Sequence, residues 1–113
     1  MSMTDKLKEV ETLLGSLQKD YPSEIKAFLN FMQKAEDGPA LDMRSKELIN
    51  VALSVAAQCE SCIAVHVKHA LKAGATRDEI MSAGFMAVIM HGGPALMYLT
   101  PLAESLNEFA PRS

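Results

Sequence analysis

A chain of 113 residues with a formal charge of −3, whose Lys and Arg are scattered rather than clustered, has no basic patch for nucleic acid, and 5% aromatic residues leave little for base stacking. One domain spanning residues 1–113 is expected, long enough to bury about two thirds of the surface its unfolded form exposes. At 49% hydrophobic residues with eight methionines, it carries more apolar surface than so small a core needs, which places part of that surface between subunits.

The N-terminal MSMTDKLKEVETLL has neither the apolar core nor the small-residue cleavage site of a secretory signal. No run of eighteen apolar residues is free of charges or breakers, so no membrane partner is expected. A cytoplasmic location follows as an expectation. In a reducing compartment a C-x-x-C pair is more often catalytic or metal-binding than a structural staple.

Residues 4 to 18 set Leu7, Val10, Leu13, Leu14 and Leu17 at helical spacing among lysines and glutamates. Tyr21-Pro22 marks a boundary, after which Ile25, Phe28, Leu29 and Met32 form an apolar stripe read as core packing. Asp37-Gly38-Pro39 signals a loop over about 36 to 41. Asp42 can cap a central helix carrying Leu48, Ile49, Ala52, Leu53, Val55 and Ala56, a face wide enough for burial on more than one side.

The next helix is expected from about Glu60 to Ala73, ending at Gly74. Thr76 and Glu79 make a capping box for a fifth, with Ile80, Met81, Phe85, Val88 and Ile89. Gly92-Gly93-Pro94 interrupts that pattern, and Pro101 inside the following apolar segment predicts a kinked or broken terminal helix. With no β-hairpin signal or period-2 run, the fold class is all-α with about six helices. The methionines at 81, 86, 90 and 97 suit a core or subunit interface better than a metal site.

The chemistry concentrates in ELINVALSVAAQCESCIAVH, from Glu47 to His66. With Cys59 at a helix start, unpaired N–H groups and the helix dipole stabilise a thiolate. His66 follows Cys62 by four residues, on the same helical face and within reach as a proton acceptor, directly or through a water. Along one straight helix Glu47 would stand about 18 Å from Cys59, so it joins the site only if the chain turns; a break near Gln58 is expected. A bridge between the thiols also requires Cys59 to leave helical geometry, since helical β-carbons three residues apart are about 5–6 Å from one another and a disulfide needs about 3.5–4.5 Å.

Other uses of these residues compete. A c-type haem site needs His directly after the second cysteine, where Ile63 stands. Cys59, Cys62, His66 and His69 fall within about 80° of arc on one helix, but ten helical residues extend about 15 Å and cannot wrap four ligands around one zinc ion. Two buried, inert cysteines remain the plain alternative.

The spacing Glu47, eleven residues, Cys59, two residues, Cys62, three residues, His66 resembles the signature of the alkylhydroperoxidase D-like branch of the carboxymuconolactone decarboxylase family. The flanking RSKELINVALSVAAQ, HVKHALKAGATRDEI and GGPALMYLTPLAE extend the likeness over roughly residues 20 to 109. The resemblance implies an all-helical homo-oligomer, a trimer or hexamer, acting as a dithiol/disulfide peroxidase or reductase without a cofactor or metal. Glu47, Cys59, Cys62 and His66 would be its catalytic residues. Its partners would be a hydroperoxide or small disulfide as substrate and a dithiol reductant or thioredoxin-like protein as electron donor. His91, before Gly-Gly-Pro, departs from the pattern and takes no role from it. Two alternatives stand beside this: lactone decarboxylation, which makes no evident use of C-x-x-C, and a non-enzymatic oligomer switched by the disulfide.

Overall fold

A computed structural model describes residues 1–111. The chain order is α1 (Met3–Asp20), α2 (Pro22–Asp37), α3 (Met43–Ala56), α4 (Glu60–Lys72), α5 (Arg77–His91), α6 (Gly93–Met97) and α7 (Leu99–Phe109). Six are full helices and α6 is a single five-residue turn, with no strand among the described residues. The all-α expectation holds.

Local chemistry sets most of the boundaries. Ser2 and Asp5 form a capping box at α1, and Asp42 accepts from Ser45 N at 2.7 Å to cap α3. Thr76 and Glu79 form the expected box at α5. The α4 helix ends in a Schellman arrangement, with Gly74 at φ +94 and Ala75 N reaching back to Ala70 O at 2.9 Å. The terminal break falls at Tyr98, three residues before Pro101. A helix continuous through this point would press the proline ring on the Met97 carbonyl; with α7 starting at Leu99, Pro101 sits in the first turn, where a missing N–H costs nothing.

The core is built around α4. Its Ile63, Ala64, Val67 and Ala70 are fully buried, and it packs against α1, α3, α5 and α7. The α3 helix meets only α4 and α5 closely, so the predicted burial of its wide apolar face is corrected: Val51 and Val55 are buried, but Ile49 is 47% and Leu53 60% exposed. The second correction is α2. It packs on α1 and contributes no buried residue, with Phe28 and Phe31 exposed and Ile25, Leu29 and Met32 half-buried. An amphipathic stripe specifies that a face needs cover, and within this chain α2 finds little of it. Of the four methionines expected in packing roles, Met81 lies against the core while Met86, Met90 and Met97 are exposed.

Two close approaches hold the ends of the chain. Glu108 near the end of α7 accepts from Met3 N at 3.0 Å and Thr4 N at 2.9 Å, a carboxylate seated on the α1 N-terminus. Gly84 lets α5 lie against α7: a β-carbon there would stand 2.5 Å from Leu102 Cδ2 and 2.9 Å from Leu99 Cδ2.

Candidate active site

The turn between α3 and α4 forms the site. Ala57 keeps helical angles, Gln58 takes φ 56, and Cys59 is extended at φ −116, ψ 100. Gln58 N donates to Val55 O at 3.0 Å and Cys59 N to Ser54 O at 3.2 Å, the paired bonds of a Schellman motif. A glutamine in the left-handed region costs about 1 kcal/mol more than glycine, and the two bonds offset it. The break expected near Gln58 is therefore present, and it folds α3 back onto α4.

Cys59 caps α4, its Sγ accepting from Cys62 N at 3.2 Å. The two cysteines are joined in a disulfide with Cα atoms 5.2 Å apart, inside the usual range of about 4.4–6.8 Å. Because Cys59 lies outside the helix and Cys62 inside it, the pair escapes the separation imposed on regular helical neighbours. Both are half-buried. Lys6 of α1 pairs with Glu60 at 2.9 Å and fastens α1 to this first turn.

One turn further along α4, His66 meets α3. Glu47, only 2% exposed, approaches His66 Nδ1 with Oε1 at 3.3 Å and Oε2 at 3.4 Å. The Asn50 amide donates to Glu47 Oε1 at 2.6 Å, and His69 Nδ1 lies 3.2 Å from Oε2. Burial by itself would raise the Glu47 pKa, but hydrogen bonds from His66, His69 and Asn50 outweigh it and hold the carboxyl well below the usual carboxylate range. The hydrogen bond to Glu47 raises the pKa of His69 against a smaller opposing effect of burial. A buried, ionised carboxylate thus stands beside two imidazoles.

All four residues expected from the sequence lie on the two sides of this turn: Glu47 on α3, Cys59 at the cap, Cys62 and His66 on α4. Sequence reasoning missed Asn50 and His69 as partners of Glu47. The available signal was spacing, since Asn50 is three residues after Glu47 on α3 and His69 three after His66 on α4. His69 and Glu47 line an open cleft of about 670 Å³ with Glu36, Asp42, Arg44 and Lys72, while His66 and Asn50 line a second of about 390 Å³ walled by Phe28, Phe31, Met32 and Ile49. His91 is exposed and belongs to neither cleft.

Residues 22–105 match the carboxymuconolactone decarboxylase family. The chain belongs to that family. Among solved structures, a carboxymuconolactone decarboxylase family protein from Legionella pneumophila, in its apo form, superposes with a TM-score of 0.91 at 39% identity, covering 96% of each chain. A family member from Thermotoga maritima, described for a possible role in antioxidative response, superposes with a TM-score of 0.80 at 25% identity over 91% of this chain and 88% of its own. An uncharacterised protein of Paracoccus denitrificans encoded in a cox locus is 34% identical over 102 residues, covering 90% of this chain and 92% of its own. An uncharacterised Cupriavidus necator protein is 34% identical over 93 residues, 82% of each chain. This carboxymuconolactone decarboxylase family protein therefore shares its fold with the two solved relatives, and its C-x-x-C pair and Glu-His cluster give the chemistry to be explained. Among the described residues no helix is long and apolar enough to cross a membrane.

Proposed function

We propose that this family member is a thiol-dependent peroxidase that reduces a hydroperoxide through the Cys59–Cys62 dithiol, with Glu47 and His66 moving the proton. The observation that carries the reading is the placement of a bridgeable cysteine pair at the start of α4 while an imidazole one turn below is held by a buried carboxylate. The T. maritima relative's description supports the same direction.

In the reduced protein, His66 accepts the Cys62 proton and the thiolate sulfur attacks one peroxide oxygen. The S–O bond forms, the O–O bond breaks, and the departing alkoxide takes the proton from His66 to leave as an alcohol. Cys62 is then a sulfenic acid. Attack by the Cys59 sulfur forms the S–S bond, breaks S–O and releases water, which protects Cys62 from irreversible sulfinic oxidation. A dithiol reductant reopens the bridge by exchange and itself becomes a disulfide. Per cycle, one hydroperoxide and one dithiol become one alcohol, one water and one disulfide. Cys62 takes the attacking role because it shares a face with His66; the helix terminus favours the Cys59 thiolate as the resolving partner.

The domain works in this reading as a homo-oligomer, trimer or hexamer, whose subunits cover the apolar surface that α2, α3 and α5 leave exposed. The deciding experiment is peroxide turnover with a dithiol reductant on wild type, Cys59→Ser and Cys62→Ser. Many equivalents consumed by wild type, and at most about one by either variant, is the expected result. Consumption of about one equivalent by wild type would make the pair a switch rather than a catalyst.

A further inference from the structure

The Glu47 carboxylate makes contacts with Asn50 and His69 that the dithiol chemistry does not require. Its Oε1 is held by the Asn50 amide at 2.6 Å, while Oε2 stands 3.4 Å from His66 Nδ1 and 3.2 Å from His69 Nδ1. One donor atom from each of Glu47, His66 and His69 lies within 4.8 Å of the others. Around a tetrahedral zinc ion with bonds of about 2.0–2.1 Å, neighbouring ligand atoms are about 3.3 Å apart. The two edges that meet at Oε2 already have that length. The third runs between the imidazoles and closes by a turn of the His69 ring, whose side chain is 51% exposed.

We propose that Glu47, His66 and His69 form a binding site for a divalent cation of the zinc class, with three protein ligands and the fourth position open to solvent. Two imidazoles and one carboxylate make a donor set suited to zinc, and a site with three protein ligands leaves a position for water. Asn50 supplies the outer support by holding Oε1, which itself stands 3.3 Å from His66 Nδ1, and so fixes a carboxylate whose Oε2 lies within reach of both histidines. Entry is through the cleft of about 670 Å³ on the His69 side, where Glu36 and Asp42 add carboxylates; of its two cations, Arg44 is already paired with Glu79. These ligands come from two helices that meet side by side, so they avoid the linear spread that defeats a set drawn from Cys59, Cys62, His66 and His69.

The site does not depend on the peroxidase reading, but it would act on it. An imidazole that ligates through Nδ1 carries its proton on Nε2 and has no lone pair left to accept another. Metal occupancy therefore removes His66 as a base, and zinc becomes an inhibitor of thiol turnover.

The test uses full-length protein in its disulfide form, so that thiolates cannot bind the metal. Calorimetric titration with Zn²⁺ is expected to show about one ion per chain, and Co²⁺ the visible absorption of a tetrahedral centre. His69→Ala, at a half-exposed position that the fold tolerates, should weaken Zn²⁺ binding by at least about tenfold, as loss of a direct ligand exceeds the effect of losing an outer-shell partner. A Cys59→Ser/Cys62→Ser protein should bind as wild type does. Absence of binding, equal affinity in His69→Ala, or dependence on the cysteines would overturn the site. Peroxide turnover measured with a chelator present reports on the dithiol chemistry alone, so failure of one reading is separable from failure of the other.

Discussion

His69 Nδ1 stands 3.2 Å from Glu47 Oε2, across the contact between α3 and α4, so the buried carboxylate is shared between two imidazoles rather than committed to one. The consequence is a negative charge held in place within the contact between the cysteine-bearing helix and α3.

Replacing Glu47 by Gln keeps the shape and removes that charge. Turnover is expected to fall by up to about 10²-fold, since general-base assistance as a whole contributes about 10²–10⁴-fold. The pH profile of kcat should change more than KM does, because the carboxylate orients the base and does not bind substrate in this reading. Steady-state kinetics across pH checks it; an unaltered profile with raised KM would remove Glu47 from the proton path.

The same contact makes stability depend on pH. His69 has a raised pKa in the folded protein, so its pairing with Glu47 stabilises fully below the ordinary histidine value of 6.5 and is lost as pH rises through the raised one. Wild type should therefore exceed His69→Gln in urea midpoint by more near pH 6 than near pH 9. The half-exposed ring keeps the effect small through solvent screening. On the acid side, Glu47 has a lowered pKa, and its contribution, present above the ordinary value of 4.5, is lost as pH falls below that toward the lowered one. An equal midpoint difference at both pH values would show that His69 contributes by packing alone.

Gly84→Ala is expected to destabilise the protein. The added β-carbon would meet Leu102, fully buried, at 2.5 Å and Leu99 at 2.9 Å, forcing α5 and α7 apart. Overpacking costs about 1–3 kcal/mol, of which about 1 is offset by the better helix propensity of alanine, leaving a net loss of about 1 kcal/mol. Urea denaturation measures it. A stabilised variant would mean that Leu99 and Leu102 yield without cost.

Light scattering at micromolar concentration should give a mass of several subunits. Leu53 is 60% exposed, Ile89 71% and Met90 78%, and Phe31 on α2 is 68% exposed. Leu53→Asp combined with Ile89→Asp should shift the mass toward the monomer while helix content is retained. A monomeric wild type would leave these side chains as unexplained apolar surface.

The sequence by itself determined the local features, because each depends on residues a few positions apart. Asp42, Thr76, Glu79 and Gly74 are read correctly as helix ends since caps and Schellman turns close within one turn of chain. The break at Gln58 was legible for the same reason, as was the escape of Cys59 from helical geometry. Pro101 signalled a broken terminal helix, and its ring explains why the break lies upstream at Tyr98.

Only the tertiary structure decided which helices share which faces. Periodicity marks the stripes of α2 and α3 as apolar but carries no information on what covers them, and both keep exposed side chains that a core reading would bury. It also could not show that α4 would be the central element or that its two histidines would converge on one carboxylate. That pairing arises from the angle at which α3 returns along α4, set by the packing of Val51, Val55, Ile63 and Val67 in a common core rather than by any local sequence signal.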